Sequence, residues 1–170
     1  LPIVEGLGLE VRGDFGLNVF NSRALAFLRE LGLASATVSF ELRHQQVRDL
    51  AKLLPCEGIV YGRLPLMVME NCITKNNVGC RHGAGSTLTD RTGAQFPVQC
   101  VYGCRNEIEN SLPLFLADKA EWRGCGLTSA RLRFTTETAD ECAAILRRYR
   151  GEGDYAPEKY TRGLFYRGVE

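Results

Sequence analysis

Histidine is scarce in this chain, and the common hydrolytic motifs are missing from it. The 170 residues include two histidines, His44 and His82, and neither lies in an H-E-x-x-H pattern. The sequence contains no G-x-S-x-G motif either. A protease needs a nucleophile paired with a base, or a metal with an open coordination position. These absences argue against hydrolysis.

The sequence also lacks long apolar runs and a strong net charge. Its longest apolar candidate, residues 58–69, is interrupted by Arg63 and Pro65, well short of the ~20 residues that a membrane helix needs. The net charge of +1 gives no overall basic field of the kind that marks many nucleic-acid binders. No leader sequence and no initiator Met precede Leu1, so we expect a piece of a longer chain that is not secreted.

The seven cysteines are too few for a disulfide scaffold, and their number is odd. We therefore predict free thiols in a reducing compartment, the cytoplasm, with some serving as ligands and others in the core. Cys142 falls on the apolar stripe of a predicted helix, which favours core packing. Cys56 and Cys125 fall at predicted turns and receive no role.

Apolar patterning predicts alternating strands and helices. The predicted strands are 9–15, 35–40, 58–69 and 130–135, and the predicted helices are 22–32, 42–54 and 139–150. Residues 110–119, which follow the cysteine segment, are predicted to form a strand that pairs with the third strand. Such alternation implies parallel strands with right-handed crossovers, and four units make half of an eight-unit barrel.

We therefore predict an α/β fold that is a partial (β/α)8 barrel of roughly four strand-helix units. It occupies residues 1–150 and contains an inserted Cys-rich loop segment at 70–110. Residues 151–170 form a Gly- and aromatic-rich C-terminal tail. Because half a barrel leaves open sheet edges, we expect it to pair with its missing half or with a second copy of itself.

Four cysteines within 33 residues mark the inserted segment as a candidate metal site: Cys72, Cys80, Cys100 and Cys104. Thiolates on separate turns can approach a tetrahedral metal or a cubane cluster from several directions. Zinc sites usually contain C-x2-C pairs, which this segment lacks, so the spacing favours an iron-sulfur cluster over zinc. The alternative is that these cysteines are buried small hydrophobes or incidental loop thiols without a metal. Within the metal interpretation, His82 is a candidate nitrogen ligand in place of Cys100, although a solvated loop histidine is the preferred interpretation of His82.

Seven blocks of the chain carry a family resemblance. They are L-N-V-F-N-S (17–22), S-F-E-L (39–42), Y-G-R-L-P-L-M (61–67), the Cys72 to Cys80 block, L-T-D-R-T-G-A-Q-F-P-V (88–98), C-R-N-E-I-E-N-S-L-P-L (104–114) and Y-T-R-G-L-F-Y-R-G (160–168). In this order they resemble the collagenase-like peptidase family, peptidase family U-32, over nearly the whole chain. Where this chain has the longer Cys100 to Cys104 spacing, some relatives have a C-x-x-C pair.

The resemblance implies an N-terminal half-barrel as partner and a [4Fe-4S] cluster bound by the four cysteines. Family members were named as proteases, but several are similar to oxygen-independent hydroxylases of a ribosomal RNA base, a transfer RNA base or a ubiquinone precursor. Prephenate is the hydroxyl donor in the RNA cases. We therefore expect an iron-sulfur-dependent hydroxylase of an RNA base. The alternatives are a collagenase-like peptidase and a non-catalytic fragment in which zinc or a cluster orders a loop.

Two charged residues are candidates for catalysis. Glu41 follows the second predicted strand, where the carboxylate of a barrel residue points into the catalytic mouth. A cap or an ion pair with Arg43 or Arg63 is the alternative. Arg63 lies in a strand predicted to be buried and needs an anion, either a substrate carboxylate or Glu41. From the resemblance and the predicted placement of Glu41 and Arg63 beside the cysteine segment, we hypothesise that prephenate binds against Arg63 while Glu41 moves a proton.

Two asparagines are candidates for substrate binding. Asn18 and Asn21 follow the first predicted strand, at the end that carries the active site in barrels. The alternative for this segment is helix capping, for which Asn21 and Ser22 are both suited and Ser22 is preferred.

Overall fold

The computed structural model describes residues 7–79, 86–101 and 104–169 as a mixed α/β protein. In chain order the elements are β1 (Arg12–Gly13), α1 (Ser22–Glu30), β2 (Ser35–Thr37), α2 (His44–Leu50), β3 (Cys56–Gly62), β4 (Pro65–Met69), α3 (Ile73–Val78), β5 (Ser86–Thr89), β6 (Gln95–Val101), β7 (Arg105–Glu109), β8 (Leu114–Phe115), β9 (Ser129–Arg133) and α4 (Ala139–Arg150). Among these described helices, none has the length and apolarity needed to cross a membrane.

The chain divides into two compact units. The first contains the described residues of Leu1–Tyr61, Phe115–Arg133 and Arg162–Glu170, and the second contains those of Gly62–Leu114 and Phe134–Thr161. Part of the predicted C-terminal tail is therefore assigned to the first unit. Phe165 packs against the apolar core of that unit, and its backbone carbonyl accepts a hydrogen bond from the His44 N–H at 2.9 Å.

The first sheet has the strand order β1-β2-β3-β8, and β9 also pairs with β3. The first three strands are parallel, and the helices α1 and α2 connect them in turn. The core of the first unit consists of Val19, Leu25, Ala36, Val38, Leu42, Val47, Leu50, Leu54, Cys56 and Cys125. This confirms the predicted strand-helix alternation in this part of the chain and the pairing of residues 110–119 with the third strand. The sheet is not closed.

Helix ends follow ordinary capping chemistry. The Asn21 side chain accepts a hydrogen bond from the Ala24 N–H at 2.9 Å. Asn21 is therefore the N-cap of α1, and Ser22 is the first residue of the helix. At α4, Thr138 and Glu141 form a capping box, and Gly151 ends the helix in the left-handed conformation with φ 84°. The predicted helix 139–150 is thus confirmed residue for residue.

The predicted single strand 58–69 is wrong, because it forms two strands in two different sheets. Gly62, the last residue of β3, has φ 118°, a value that L side chains rarely adopt. Upstream of this glycine β3 belongs to the first sheet, and downstream β4 belongs to the second.

The inserted Cys-rich segment is not the loop that we predicted. It contains α3 and the strands β5, β6 and β7, which form an antiparallel sheet with β4 in the order β4-β7-β6-β5. The turn between β5 and β6 is fixed by Asp90, whose Oδ1 accepts hydrogen bonds from the N–H groups of Thr92 at 2.8 Å and Ala94 at 3.0 Å. Apolar alternation is weak in these strands because β6 contains Pro97 and polar residues occupy buried positions of β7.

A polar cluster joins three strands of the first sheet through Arg131 of β9. Its guanidinium contacts the carboxylates of Asp14 at 2.5 Å and Glu57 at 2.6 Å. Thr37 donates to Glu57 at 2.9 Å, and Ser129 donates to the other oxygen of Glu57 at 3.3 Å. The cluster lines a cavity of about 220 Å³ in which the charge of Arg131 is matched by its own carboxylate partners. We therefore interpret this cluster as structural.

Replacement of Arg131 with Met should destabilise the protein by about 1 to 3 kcal/mol, because Glu57 is three-quarters buried and would lose its cation. Arg12 lines the same cavity, but its pair with Glu10 is exposed, so Arg12→Met should change stability by no more than about 0.5 kcal/mol. Urea unfolding of both variants measures the difference. Equal losses in the two variants would contradict the structural role of Arg131.

Candidate active site

Cys72 stands at the start of α3 and is almost fully buried, with 7% of its surface exposed. Its sulfur accepts a hydrogen bond from the Lys75 N–H at 3.4 Å, so it occupies the capping position that Ser or Asp takes in other helices. The thiol is therefore held in one place by the first turn of the helix, although the helix itself is short.

Cys100 and Cys104 stand at the adjoining ends of the antiparallel strands β6 and β7. Cys100 lies in β6 directly opposite Asn106 of β7, and Cys104 immediately precedes β7. Both cysteines are exposed. The two predicted ligands of the C-x3-C spacing therefore lie at the same end of this strand pair.

The side chain of Asn106 connects two of these thiols. Its Nδ2 lies 3.5 Å from the sulfur of Cys100 and 3.8 Å from the sulfur of Cys72. Its Oδ1 accepts a hydrogen bond of 2.7 Å from the backbone N–H of Ile73, the first residue of α3. Two predicted ligands that are 28 positions apart in the sequence are therefore adjacent, and Cys104 adjoins the strand that carries Asn106.

The fourth predicted ligand, Cys80, lies outside the described residues, as does His82. Within residues 7–79, 86–101 and 104–169, no three His, Cys, Asp or Glu side chains are arranged to hold a metal ion. The described thiols nevertheless fit a thiolate-ligated centre, because two of them share one amide donor. Amide hydrogen bonds of this type are the usual outer contacts of metal-bound sulfur.

The remaining buried thiols have structural partners. Cys56 donates to the Leu54 carbonyl at 3.2 Å, and burial raises its pKa to about 11. Cys125 donates to the carbonyls of His44 and Glu121, and burial raises its pKa as well. Both are neutral thiols at physiological pH and are poor candidates for ligands or nucleophiles.

Arg63 lies in the second unit and is half-buried. Its Nη1 donates to the backbone carbonyls of Asn110, at 2.9 Å, and Ser111, and its Nε donates to the Thr136 hydroxyl at 3.3 Å. These bonds fix the chain that follows β7. The guanidinium therefore has a structural task, and the binding of a substrate carboxylate at Arg63 stays a prediction.

Glu41 lies in the first unit, in the connection between β2 and α2, and is half-buried. Among the described residues, no hydrogen bond or ion pair involves its carboxylate. The alternative of an ion pair between Glu41 and Arg43 is not observed among the described residues, and the pair with Arg63 stays a prediction. A half-buried carboxylate without a cation is available for proton transfer.

The two asparagines predicted to bind substrate have different surroundings. Asn21 is exposed, and its side-chain oxygen caps α1. Asn18 is exposed too and adopts the left-handed conformation with φ 46°, which Asn tolerates better than most residues. Capping accounts for Asn21, whereas substrate binding by Asn18 stays a prediction.

Sequence reasoning missed Asn106. The residue was visible as the second position after Cys104, yet a polar residue in a strand usually faces solvent. Only the register that places Asn106 opposite Cys100 shows that this amide turns inward.

Comparison of the chain with protein-family models, curated proteins and solved structures finds no match in any of the three. The resemblance to peptidase family U-32 therefore depends on the sequence blocks alone.

The thiols should separate into two classes in metal-free protein at pH 8. Cys100 and Cys104 are exposed and should be alkylated first by iodoacetamide, whereas Cys56 should stay unlabelled because a thiol with a pKa of about 11 ionises only as the pH approaches that value. Mass spectrometry of timed samples measures the order, and labelling in denaturant provides the control. Alkylation of Cys56 as fast as Cys100 would contradict the burial of Cys56.

Proposed function

We propose that the chain is part of an iron-sulfur-dependent, oxygen-independent hydroxylase of an RNA base. The observation that carries the proposal is the convergence of the Cys72 and Cys100 sulfurs on one buried amide, Asn106. The order of the blocks that resemble peptidase family U-32 supports the same conclusion. Free thiols and a cluster both require a reducing compartment, which favours the cytoplasm.

Cys72, Cys80, Cys100 and Cys104 would hold a [4Fe-4S] cluster. When bound, such a cluster supplies one-electron transfer. The protein contributes the position of the thiolates: Cys72 through the first turn of α3, and Cys100 through the β6–β7 ladder. Zinc is the alternative metal, because four thiolates also make a closed structural zinc site. In that case the centre would order the second unit without taking part in a reaction.

Glu41 is the proposed proton-transfer residue, since its carboxylate has no partner within the described residues. Arg63 is the proposed anchor for a carboxylate donor such as prephenate. Such a donor would meet a planar guanidinium whose orientation is already fixed by carbonyl contacts. Preorganisation of this type lowers the cost of positioning a substrate.

The parallel run β1-α1-β2-α2-β3 supports a partial (β/α)8 barrel. An N-terminal half-barrel of the longer chain would complete such a barrel and cover its open edges. RNA is the proposed substrate partner, and self-association is the alternative way to cover the edges.

Replacement of Cys72 with Ser should abolish the iron content and the brown colour of anaerobically prepared protein, because the ligand at the start of α3 is lost. Cys142 of α4 provides a matched control, and Cys142→Ser should leave both unchanged. Iron and sulfide analysis with an absorption spectrum measures the outcome. Full iron retention in the Cys72→Ser variant would contradict the ligand assignment, and zinc in place of iron would favour the non-catalytic alternative.

Replacement of Glu41 with Gln in the longer parent chain should preserve the cluster and lower base hydroxylation by about 10² to 10⁴-fold, the usual contribution of a general acid or base. The exposed Glu30 at the end of α1 provides the control, and Glu30→Gln should have normal activity. Mass spectrometry of RNA from cells that lack the native enzyme measures the modification. Normal hydroxylation by the Glu41→Gln variant, or gelatin cleavage that survives removal of the cluster, would contradict the proposal.

A further inference from the structure

We propose that Asn106 is a positioning residue of the metal centre. Its side-chain amide donates one N–H to the Cys72 sulfur and one to the Cys100 sulfur, and thereby sets both the location of these thiolates and the negative charge that the centre can hold. This inference rests on the proposed function and deepens it, because it assigns a role to a residue that is not itself a ligand.

The hydrogen bonds fix the orientation of the amide. The backbone N–H of Ile73 can only donate, so the atom that faces it at 2.7 Å must be the oxygen of the Asn106 side chain. The nitrogen then faces the sulfurs of Cys72 and Cys100. An amide nitrogen carries two hydrogens, which is one for each sulfur.

The Asn106 side chain is fully buried, so its hydrogen bonds to the protein cannot be replaced by hydrogen bonds to water. Asn106 has 0% of its surface exposed and lies in β7, where neighbouring strands pair with it on both sides. A buried amide without partners is costly, and the Ile73 N–H together with the two sulfurs satisfies this one. Core packing alone would be served as well by a leucine.

The direction of the electronic effect follows from charge. A reduced centre carries one more negative charge than its oxidised form, and an N–H donor to a thiolate stabilises that charge. Hydrogen bonds to the sulfurs are among the factors that set the reduction potential of iron-sulfur centres. Loss of the Asn106 donor should therefore make the potential more negative.

Two variants separate the donor from the rest of the side chain. Asn106→Asp keeps an oxygen for the Ile73 N–H and replaces the two N–H donors with an anionic oxygen. Asn106→Leu removes the donors without adding charge. Asn110→Asp is the matched control, because it makes the same chemical change just after β7 and keeps the acceptor that Asn110 offers to the Leu112 N–H at 3.3 Å.

The experiment reconstitutes each protein anaerobically with ferrous iron and sulfide. Iron per chain, the rate of iron loss to a chelator and the midpoint potential of the centre are then measured, the last by redox titration followed by electron paramagnetic resonance. Both Asn106 variants should have a more negative potential, with the larger shift in Asn106→Asp, and a metal affinity about 10 to 100-fold lower. Asn110→Asp should match the native protein.

The outcomes distinguish this inference from the proposed function. If the native protein binds the cluster and both Asn106 variants match it in potential and iron affinity, the role of Asn106 is wrong while the cluster stands. If the native protein takes up no iron, the proposed function and the role of Asn106 fail together. Amide hydrogen exchange in β6 and β7 verifies that each variant keeps the second sheet. The Asn106→Asp variant also keeps an oxygen that can accept the hydrogen bond from the Ile73 N–H at the start of α3.

Discussion

The hydrogen bonds of one buried amide are the constraint on which the candidate site depends. The Asn106 side chain contacts the start of α3 through Ile73, the sulfur of Cys72 and the sulfur of Cys100 in β6. The start of α3 and strand β6 thus meet at a single residue of β7. The proposed metal centre would require its ligands to converge from separate directions, and strand register would supply part of that convergence.

The second sheet departs from the usual separation of polar and apolar residues. Asn106, Glu107 and Glu109 are all buried in β7, which an ordinary antiparallel strand would fill with apolar side chains. Such departures concentrate at functional sites, where a local rule is broken for a specific contact. The first unit, by contrast, has the regular apolar core of a parallel α/β layer.

Local signals in the sequence predicted local structure well. The capping box of Thr138 and Glu141 together with Gly151 defines α4, and the alternation of apolar runs with amphipathic segments defines β1 to β3 with their helices. The errors arose where a decisive feature is not periodic. Gly62 divides one apolar run between two sheets, and its positive φ has no signature in a hydrophobic pattern.

The sequence proposed the ligands of the candidate site, and it did not predict their geometry. Four thiols in a short Gly-rich segment are the basis of the metal prediction, which stays a prediction. The pairing of Cys100 with Asn106 depends on the register of β6 and β7, which follows from turn geometry and packing. For this reason the inward-facing amide was overlooked, although it stands two residues from a predicted ligand.

Anomalous diffraction at the iron edge, from crystals grown without oxygen, tests the central claim most directly. The account predicts an iron peak bonded to the sulfurs of both Cys72 and Cys100, with the Asn106 nitrogen directed at those sulfurs. A disulfide between Cys72 and Cys100, or iron bound away from both residues, would contradict it.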